Sequence, residues 1–163
     1  MSASRAELIA ILEQTQPELE RLTAAISEAE LDFRSAPEEW SIREILAHLV
    51  DDEMYVMRTR FERIMKEARP HLAPHDEKYW YANRNTARDA VEELLSDFAV
   101  QRAASLAMIH MLRESDWARE GYQPEYGHFT AEKCLASWAE HDTVHLHQIE
   151  RNVQSARLSP HKS

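Results

Sequence analysis

The stretch WSIREILAHLVDDE, residues 40–53, contains the clearest helix start in the chain. Ser41 is followed three residues later by Glu44, the capping-box pattern in which both side chains accept hydrogen bonds from backbone N–H groups of the first turn. Apolar residues at helical spacing continue the pattern: Ile42, Ile45, Leu46, Leu49, Val50, Tyr55, Val56 and Phe61. The sequence therefore predicts a helix that begins after Ser41 and ends near Lys66.

Three further amphipathic stretches accompany this helix. The first runs from about Ser4 to Ile26, and we expect Pro17 to kink or divide it, because a proline ring clashes with the preceding helical turn. Another begins at Thr86, which we interpret as an N-cap, and the last begins after Thr130. Four helices of this length predict an all-α protein built as a four-helix bundle.

The bundle is expected to occupy residues 1–155 as a single domain, since 163 residues is the size of one domain. Residues 156–163 are predicted to form a disordered tail. The connector between the second and third predicted helices is long, which permits an up-down-down-up order of the helices. Two glycines in the whole chain argue against a many-stranded fold and against a Gly-rich phosphate loop.

Charge and cysteine usage restrict the partners and the compartment. A formal net charge of −10 disfavours nucleic acid and anionic membrane surfaces, because both bind clustered positive charge. The one cysteine, Cys134, cannot form an internal disulfide, and we interpret it as structural. The N-terminal stretch lacks the apolar core of a signal peptide, and no run reaches the ~18 apolar residues of a membrane span. We therefore expect a cytoplasmic protein.

The stretch HDTVHLHQIE, residues 141–150, places His141 and His145 one helical turn apart. That spacing lets two imidazoles bind one metal ion, and Gln148 lies on the same stripe of the helix. His147 points about 160° away from His145 around the helix axis, so we do not expect it to join them. The alternative is that the spacing is accidental, because nine histidines make such a pair common.

A third histidine, His48, lies on or beside the apolar face of the helix that follows Ser41. A histidine in a core needs a partner for its ring nitrogens, and either a metal ion or a hydrogen bond would serve. Asp52 and Glu44 each lie one turn from His48, where they would orient an imidazole or transfer a proton, unless they are simply solvated charges. The remaining histidines are expected to be solvated: His71, His75, His110, His128 and His161.

Together, the two stretches resemble the second-helix and fourth-helix motifs of the DinB/YfiT-like superfamily. The resemblance implies a four-helix bundle, a homodimer, and a divalent metal ion held by three histidines that correspond here to His48, His141 and His145. Two positions depart from the usual family pattern, because His147 stands where a glycine is common and Val144 where many members have a histidine. Neither change affects the three expected ligands.

Several members of that superfamily are metal-dependent thiol transferases, so the resemblance implies first a thiol S-transferase that acts on a small electrophile. A site made only of histidines leaves positions on Zn²⁺ or Ni²⁺ open for a low-molecular-weight thiol. Asp52 is the candidate catalytic residue, as a proton-transfer group. The carboxylates of a thiol cofactor would need cationic partners, and the sequence offers five candidates without placing them: Arg43, Arg58, Arg60, Arg84 and Arg88.

Two other functions fit the same residues. A metal-dependent hydrolase would use water activated by the metal to cleave a small ester or amide. A non-catalytic metal-binding bundle would need a closed site, with every metal position filled by protein. The sequence shows no evident fourth ligand, which ranks the non-catalytic bundle behind an open, catalytic site.

Overall fold

The computed structural model describes residues 3–159. The elements follow one another as α1 (Arg5–Thr23), α2 (Glu28–Leu31), α3 (Ile42–Asp52), a π-helical turn (Glu53–Met57), α4 (Arg58–Lys66), α5 (Glu77–Asn83), α6 (Val91–His110), a 3-10 turn (Glu114–Ala118), β1 (Glu120–Gln123), β2 (Gly127–Thr130) and α7 (Ala131–Leu158). The α3 helix, the π-helical turn and α4 form one continuous rod. Within the described residues, α1, this rod, α6 and α7 are the long helices, and each of α1 and the rod packs against both α6 and α7. The predicted four-helix bundle is confirmed.

The directions of the helices follow from contacts at successive positions along each pair. Helix α1 contacts α7 through Arg5–Glu132 and Thr15–Asp142. The rod contacts α7 through Trp40–Asn152 and Glu53–Trp138. Helix α1 contacts α6 through Gln16–Leu95 and Glu13–His110. Residue numbers rise together in the first pair and in opposite senses in the other two. Helices α1 and α7 therefore point one way, and the rod and α6 the other, which is the up-down-down-up order.

Capping boxes start two of the bundle helices where the sequence predicts a start. The Ser41 side chain accepts from the backbone N–H of Glu44, and the Glu44 carboxylate accepts from the backbone N–H of Ser41 at 2.8 Å. Ser4 caps α1 in the same way, and Thr130 caps α7 through the backbone N–H of Lys133. Each cap satisfies backbone donors that have no partner inside the helix.

Helix α1 continues through Pro17, so of the two expectations for this proline, a kink or a division, the division is excluded. Two predicted boundaries were wrong. Helix α6 begins at Val91 instead of Thr86, because Thr86 belongs to a turn in which its carbonyl oxygen accepts from Asp89. Helix α7 extends to Leu158, so it includes the first three residues of the predicted disordered tail, and residues 160–163 lie outside the described residues.

A charged layer divides the core into two apolar clusters. Along each long helix, buried apolar residues lie on both sides of one polar position: Thr15 in α1, Glu53 in the rod, Arg102 in α6 and Asp142 in α7. Arg102 donates to both carboxylates, at 2.9 Å to Glu53 and 2.7 Å to Asp142, and all four side chains are buried. Buried charges are tolerated when they are paired and hydrogen-bonded.

The loop after α4 is fixed against a short β-hairpin. Strands β1 and β2 pair antiparallel, and residues 70–72 add to the outer side of β1, since Tyr122 donates to the Pro70 carbonyl at 2.8 Å and accepts from the Leu72 N–H at 2.7 Å. Gly121 allows this approach, because a Cβ there would lie 2.8 Å from the Pro70 oxygen.

Among the described residues, no helix combines the length and the apolar character that crossing a membrane requires.

Candidate metal centre

The three histidines singled out in the sequence converge beside the charged layer. Helix α3 supplies His48 and helix α7 supplies His141 and His145, and one ring nitrogen of each lies within 4.8 Å of the other two. The Nε2 atoms of His48 and His141 are 3.1 Å apart, close to the separation of two nitrogens that bind one ion at 2.0–2.1 Å. His48 and His145 are buried, and His141 is mostly so. The predicted ligand set is therefore brought together, while ion binding by it stays a prediction.

Gln148 fixes the orientation of one of these rings. The Nδ1 atom of His145 lies 2.7 Å from the side-chain oxygen of Gln148, one turn further along α7. An amide oxygen only accepts, so Nδ1 carries the proton and Nε2 keeps its lone pair. A hydrogen bond of this kind on the far side of an imidazole is the usual support of a metal-binding histidine.

The protonation of two of the three rings suits a ligand cluster. Burial lowers the pKa of His48 to about 3, and burial with the neighbouring charge of His141 lowers the pKa of His145 to about 4. Both rings are therefore neutral near pH 7, as nitrogen ligands must be. Burial also lowers the pKa of His141, but Asp142 and Asp52 outweigh it and raise the value to about 9.

Asp52, one turn after His48 in α3, lies beside the ring nitrogens of His48 and His141. Its Oδ2 atom is 3.3 Å from His141 Nε2 and 3.4 Å from His48 Nε2, and the side chain is 3 % exposed. Burial opposes its ionisation, but a hydrogen bond with His141 and the charges of the nearby histidines prevail and lower its pKa. An ionised carboxylate thus faces the candidate ligand nitrogens, and its burial excludes the alternative of a solvated charge, while a catalytic role for Asp52 stays a prediction. Glu44 has a structural role, since it caps α3 and pairs with Arg34.

The structure adds a residue that the sequence did not suggest. The prediction that His75 is solvated was wrong, because its Nε2 atom is buried and lies 3.2 Å from Asp52 Oδ1. His75 reaches this point because Arg60 donates to the Ala73 carbonyl, and Arg63 to the His71 carbonyl, which hold its loop. No helical spacing links His75 to the cluster, so only the fold could reveal it. His48, Asp52 and His75 form a second group of donors within 4.8 Å.

Two tryptophans pack against the His48 side of the cluster. Trp40 and Trp80 pack edge-on against the His48 ring, with centroid distances of 4.9 and 5.1 Å. Trp80 is held in place because its indole N–H donates to Asp51 at 2.8 Å. The aromatic walls limit the ways in which His48 can turn and keep water from that side of its ring.

A cleft of about 550 Å³ opens onto the cluster. Its charged lining outside the candidate centre is mainly acidic, with Glu77, Glu125 and Glu140 against a single cation, Arg60. Of the five arginines considered for a thiol cofactor, the other four do not line the cleft: Arg43, Arg58, Arg84 and Arg88. Arg43 and Arg84 are already paired with carboxylates. The cleft therefore offers one arginine to an anionic ligand.

The donor set fits a divalent ion. Three imidazole nitrogens suit Zn²⁺ and Ni²⁺, and a carboxylate beside them suits either direct binding or contact with a bound water. The arrangement defines a class, a helical bundle with a histidine-rich candidate metal centre at the base of a cleft.

The comparisons with known proteins agree with that class. The model of the DinB superfamily matches residues 11–149, so the chain belongs to the DinB superfamily. "Putative metal-dependent hydrolase YfiT" of Bacillus subtilis is 24% identical over 144 residues, which cover 86% of this chain and 79% of that protein. "Putative metal-dependent hydrolase OB0782" of Oceanobacillus iheyensis is 27% identical over 110 residues, 68% of this chain and 63% of that protein. The solved structure of Bacillus subtilis YfiT, described as an unusual four-helix bundle, superposes with a TM-score of 0.86 at 22% identity, covering 97% of this chain and 92% of that one.

Proposed function

We propose that this protein is a divalent-metal-dependent hydrolase of small esters or amides. The observation that carries the proposal is the position of Asp52, an ionised and buried carboxylate 3.3–3.4 Å from two of the candidate ligand nitrogens and open to the cleft. Two relatives named for metal-dependent hydrolysis support the same reaction type. His48, His141 and His145 would hold the ion.

A bound Zn²⁺ or Ni²⁺ ion would supply Lewis acidity and lower the pKa of a water molecule that it binds. Asp52 would accept the proton of that water, because its Oδ2 atom faces the ligand nitrogens. The Nε2 atom of His75 lies 3.2 Å from the other carboxylate oxygen and its side chain is 25 % exposed, so it is placed to contact Asp52 from the cleft side. Trp40 and Trp80 would keep competing water away from His48.

Thiol transfer, which the family resemblance implies, receives less support from the cleft. A thiol cofactor with several carboxylates would meet three glutamates and one arginine. Hydrolysis needs no such cofactor, since water is the second reactant. The same cleft therefore suits a reaction without a thiol.

The test is a comparison of turnover on a panel of small esters and amides by the zinc-loaded and nickel-loaded chain, with and without cysteine or glutathione. We expect hydrolysis without thiol, and we expect Asp52→Asn to lower kcat by about 10²–10⁴ while keeping its metal, the usual range for a lost general base. His75→Gln should lower kcat less, and His147→Ala, an exposed change, should match the wild type.

Two outcomes would contradict the proposal. Turnover that depends on an added thiol would assign the protein to the transferases. Loss of the metal in Asp52→Asn, together with no turnover in the wild type, would make Asp52 a fourth ligand of a closed site and would favour a non-catalytic metal-binding bundle.

A further inference from the structure

A second cavity lies behind the candidate metal centre, on the far side of Asp52 and His75. Its volume is about 340 Å³, within the range of small-molecule pockets. The π-helical turn, α4, the loop after it and α5 form its walls, which are mainly apolar: Tyr55, Val56, Leu72, Ala73, Pro74 and Trp80. We name it the α4 cavity. It shares Asp52, Val56, Arg60 and His75 with the cleft, so one molecule could contact both spaces.

The charges around the α4 cavity are paired, with one exception. Arg63 is bound by Glu67 through two hydrogen bonds of 2.7 and 2.8 Å. Asp51 is bound by Arg84 at 2.8 Å. Asp52 faces the histidines.

Arg60 is the exception. One of its terminal nitrogens donates to the Ala73 carbonyl at 3.1 Å, and among the described residues it forms no ion pair with any carboxylate. It is half-buried at the junction of the cavity and the cleft. A partly desolvated guanidinium with free N–H groups is the usual binding partner of a planar anion.

We propose that the α4 cavity binds the apolar part of a small carboxylate and that Arg60 binds the carboxylate group. This inference rests on the proposed function in one respect, because it makes that molecule the substrate, with its scissile bond directed to the metal centre. A monocarboxylate fits better than a phosphate monoester. One guanidinium balances one negative charge, while Asp52 at the junction and a net charge of −10 oppose a dianion.

The test uses 4-fluorobenzoate as the probe and ¹⁹F NMR to measure its binding to the full, zinc-loaded chain. We expect the wild type to bind it and Arg60→Met to bind it about 10-fold to 100-fold more weakly, the effect of losing a hydrogen bond to a charged group. Arg63→Met is the matched control, because it also removes one arginine contact with the loop after α4, at the His71 carbonyl, while the charge it removes is already balanced by Glu67. This control should bind like the wild type. Circular dichroism confirms that each variant is folded.

A second variant tests the cavity separately from the charge. Thr59→Trp keeps Arg60 and fills the space, since Thr59 lines the cavity from the exposed side of α4, and it should weaken binding at least as much as Arg60→Met. Equal binding by wild type and Arg60→Met, or by wild type and Thr59→Trp, would overturn the inference. Stronger binding of 4-fluorobenzamide or of 4-fluorophenyl phosphate than of the carboxylate would do the same.

Binding is measured without turnover, so the two proposals fail separately. A chain that binds 4-fluorobenzoate through Arg60 but hydrolyses nothing would contradict the proposed function and leave the carboxylate site. The opposite outcome would contradict only the carboxylate site. In that case the chain hydrolyses esters that carry a carboxylate group and esters that lack one equally well, and Arg60→Met binds 4-fluorobenzoate as the wild type does.

Discussion

The Nε2 atoms of His48 and His141 lie 3.1 Å apart, although 93 positions separate the two residues in the chain. Two imidazole nitrogens at this distance share either one proton or one ion, because two lone pairs or two N–H groups would repel each other. The antiparallel packing of α3 against α7 produces the contact, and Asp52 supplies the negative charge beside it. The fold therefore builds a candidate cation site from residues of two helices.

Gln148→Leu should weaken metal binding by about 10-fold to 100-fold, the usual effect of removing a hydrogen bond behind a metal-binding imidazole. The amide oxygen of Gln148 holds Nδ1–H of His145 at 2.7 Å, and leucine keeps the bulk without the acceptor. Competition with a chelating dye measures the affinity. His147→Ala serves as the control on the exposed side of α7, and equal affinity of Gln148→Leu and this control would contradict the account.

Arg102→Leu should lower the free energy of unfolding by about 3–5 kcal/mol, since it leaves two buried carboxylates without a cation. Glu53 and Asp142 both accept from Arg102 and neither is exposed. Urea unfolding of the metal-free protein measures the change. Arg88→Leu is the control, because the Arg88 side chain is 74 % exposed, and it should change the free energy of unfolding by less than about 0.5 kcal/mol. A decrease of less than about 1 kcal/mol in the free energy of unfolding of Arg102→Leu would contradict a stabilising role for the contacts of Arg102 with Glu53 and Asp142.

Gly121→Ala should destabilise the protein by about 1–3 kcal/mol, because the new Cβ would lie 2.8 Å from a backbone oxygen that cannot move freely. The displaced segment, residues 70–72, leads to His75, so hydrolysis should slow as well. Thermal unfolding and turnover together check the prediction. Gly127→Asn is the control, because asparagine tolerates the positive φ of 70° and nothing lies near its Cβ. Unchanged stability of Gly121→Ala would show that the loop adapts without cost.

Cys134 should resist thiol reagents in the folded protein. Burial raises the pKa of its thiol to about 12, although the charge of Arg60 acts in the opposite sense. The thiolate is the reactive form, so the native rate should stay low from pH 7 to pH 9 and rise only as pH approaches 12. An Ellman assay in buffer and in guanidinium chloride checks this. Fast labelling of the native chain at pH 8 would show that the site opens and would contradict a purely structural role.

Sequence reasoning located the parts of the site that lie on regular helices. Helical spacing related His141 to His145, and His48 to Asp52, and the capping box at Ser41 set the start of α3. Such features are local, so a pattern along the chain can reveal them. The order of the helices was left open, because a long connector permits more than one arrangement.

The features that sequence reasoning missed depend on contacts between distant segments. His75 lies in a loop, and its position comes from pairing of residues 70–72 with β1 and from the arginines of α4. The start of α6 was placed too early because Asp89 is held by Arg84 and by the turn at Thr86, which no propensity reveals. The sequence also could not predict the net charge of the cleft, because that depends on which arginines line the cleft and which are paired with carboxylates elsewhere.

The most direct test of the central claim is the metal content of the untagged chain after loading with Zn²⁺ or Ni²⁺ and removal of unbound ion. The account predicts about one ion per chain in the wild type and in His147→Ala, and none in His48→Ala, His141→Ala or His145→Ala. Circular dichroism of each variant separates loss of a ligand from loss of the fold. A wild type without metal, or folded variants with as much metal as the wild type, would contradict the account.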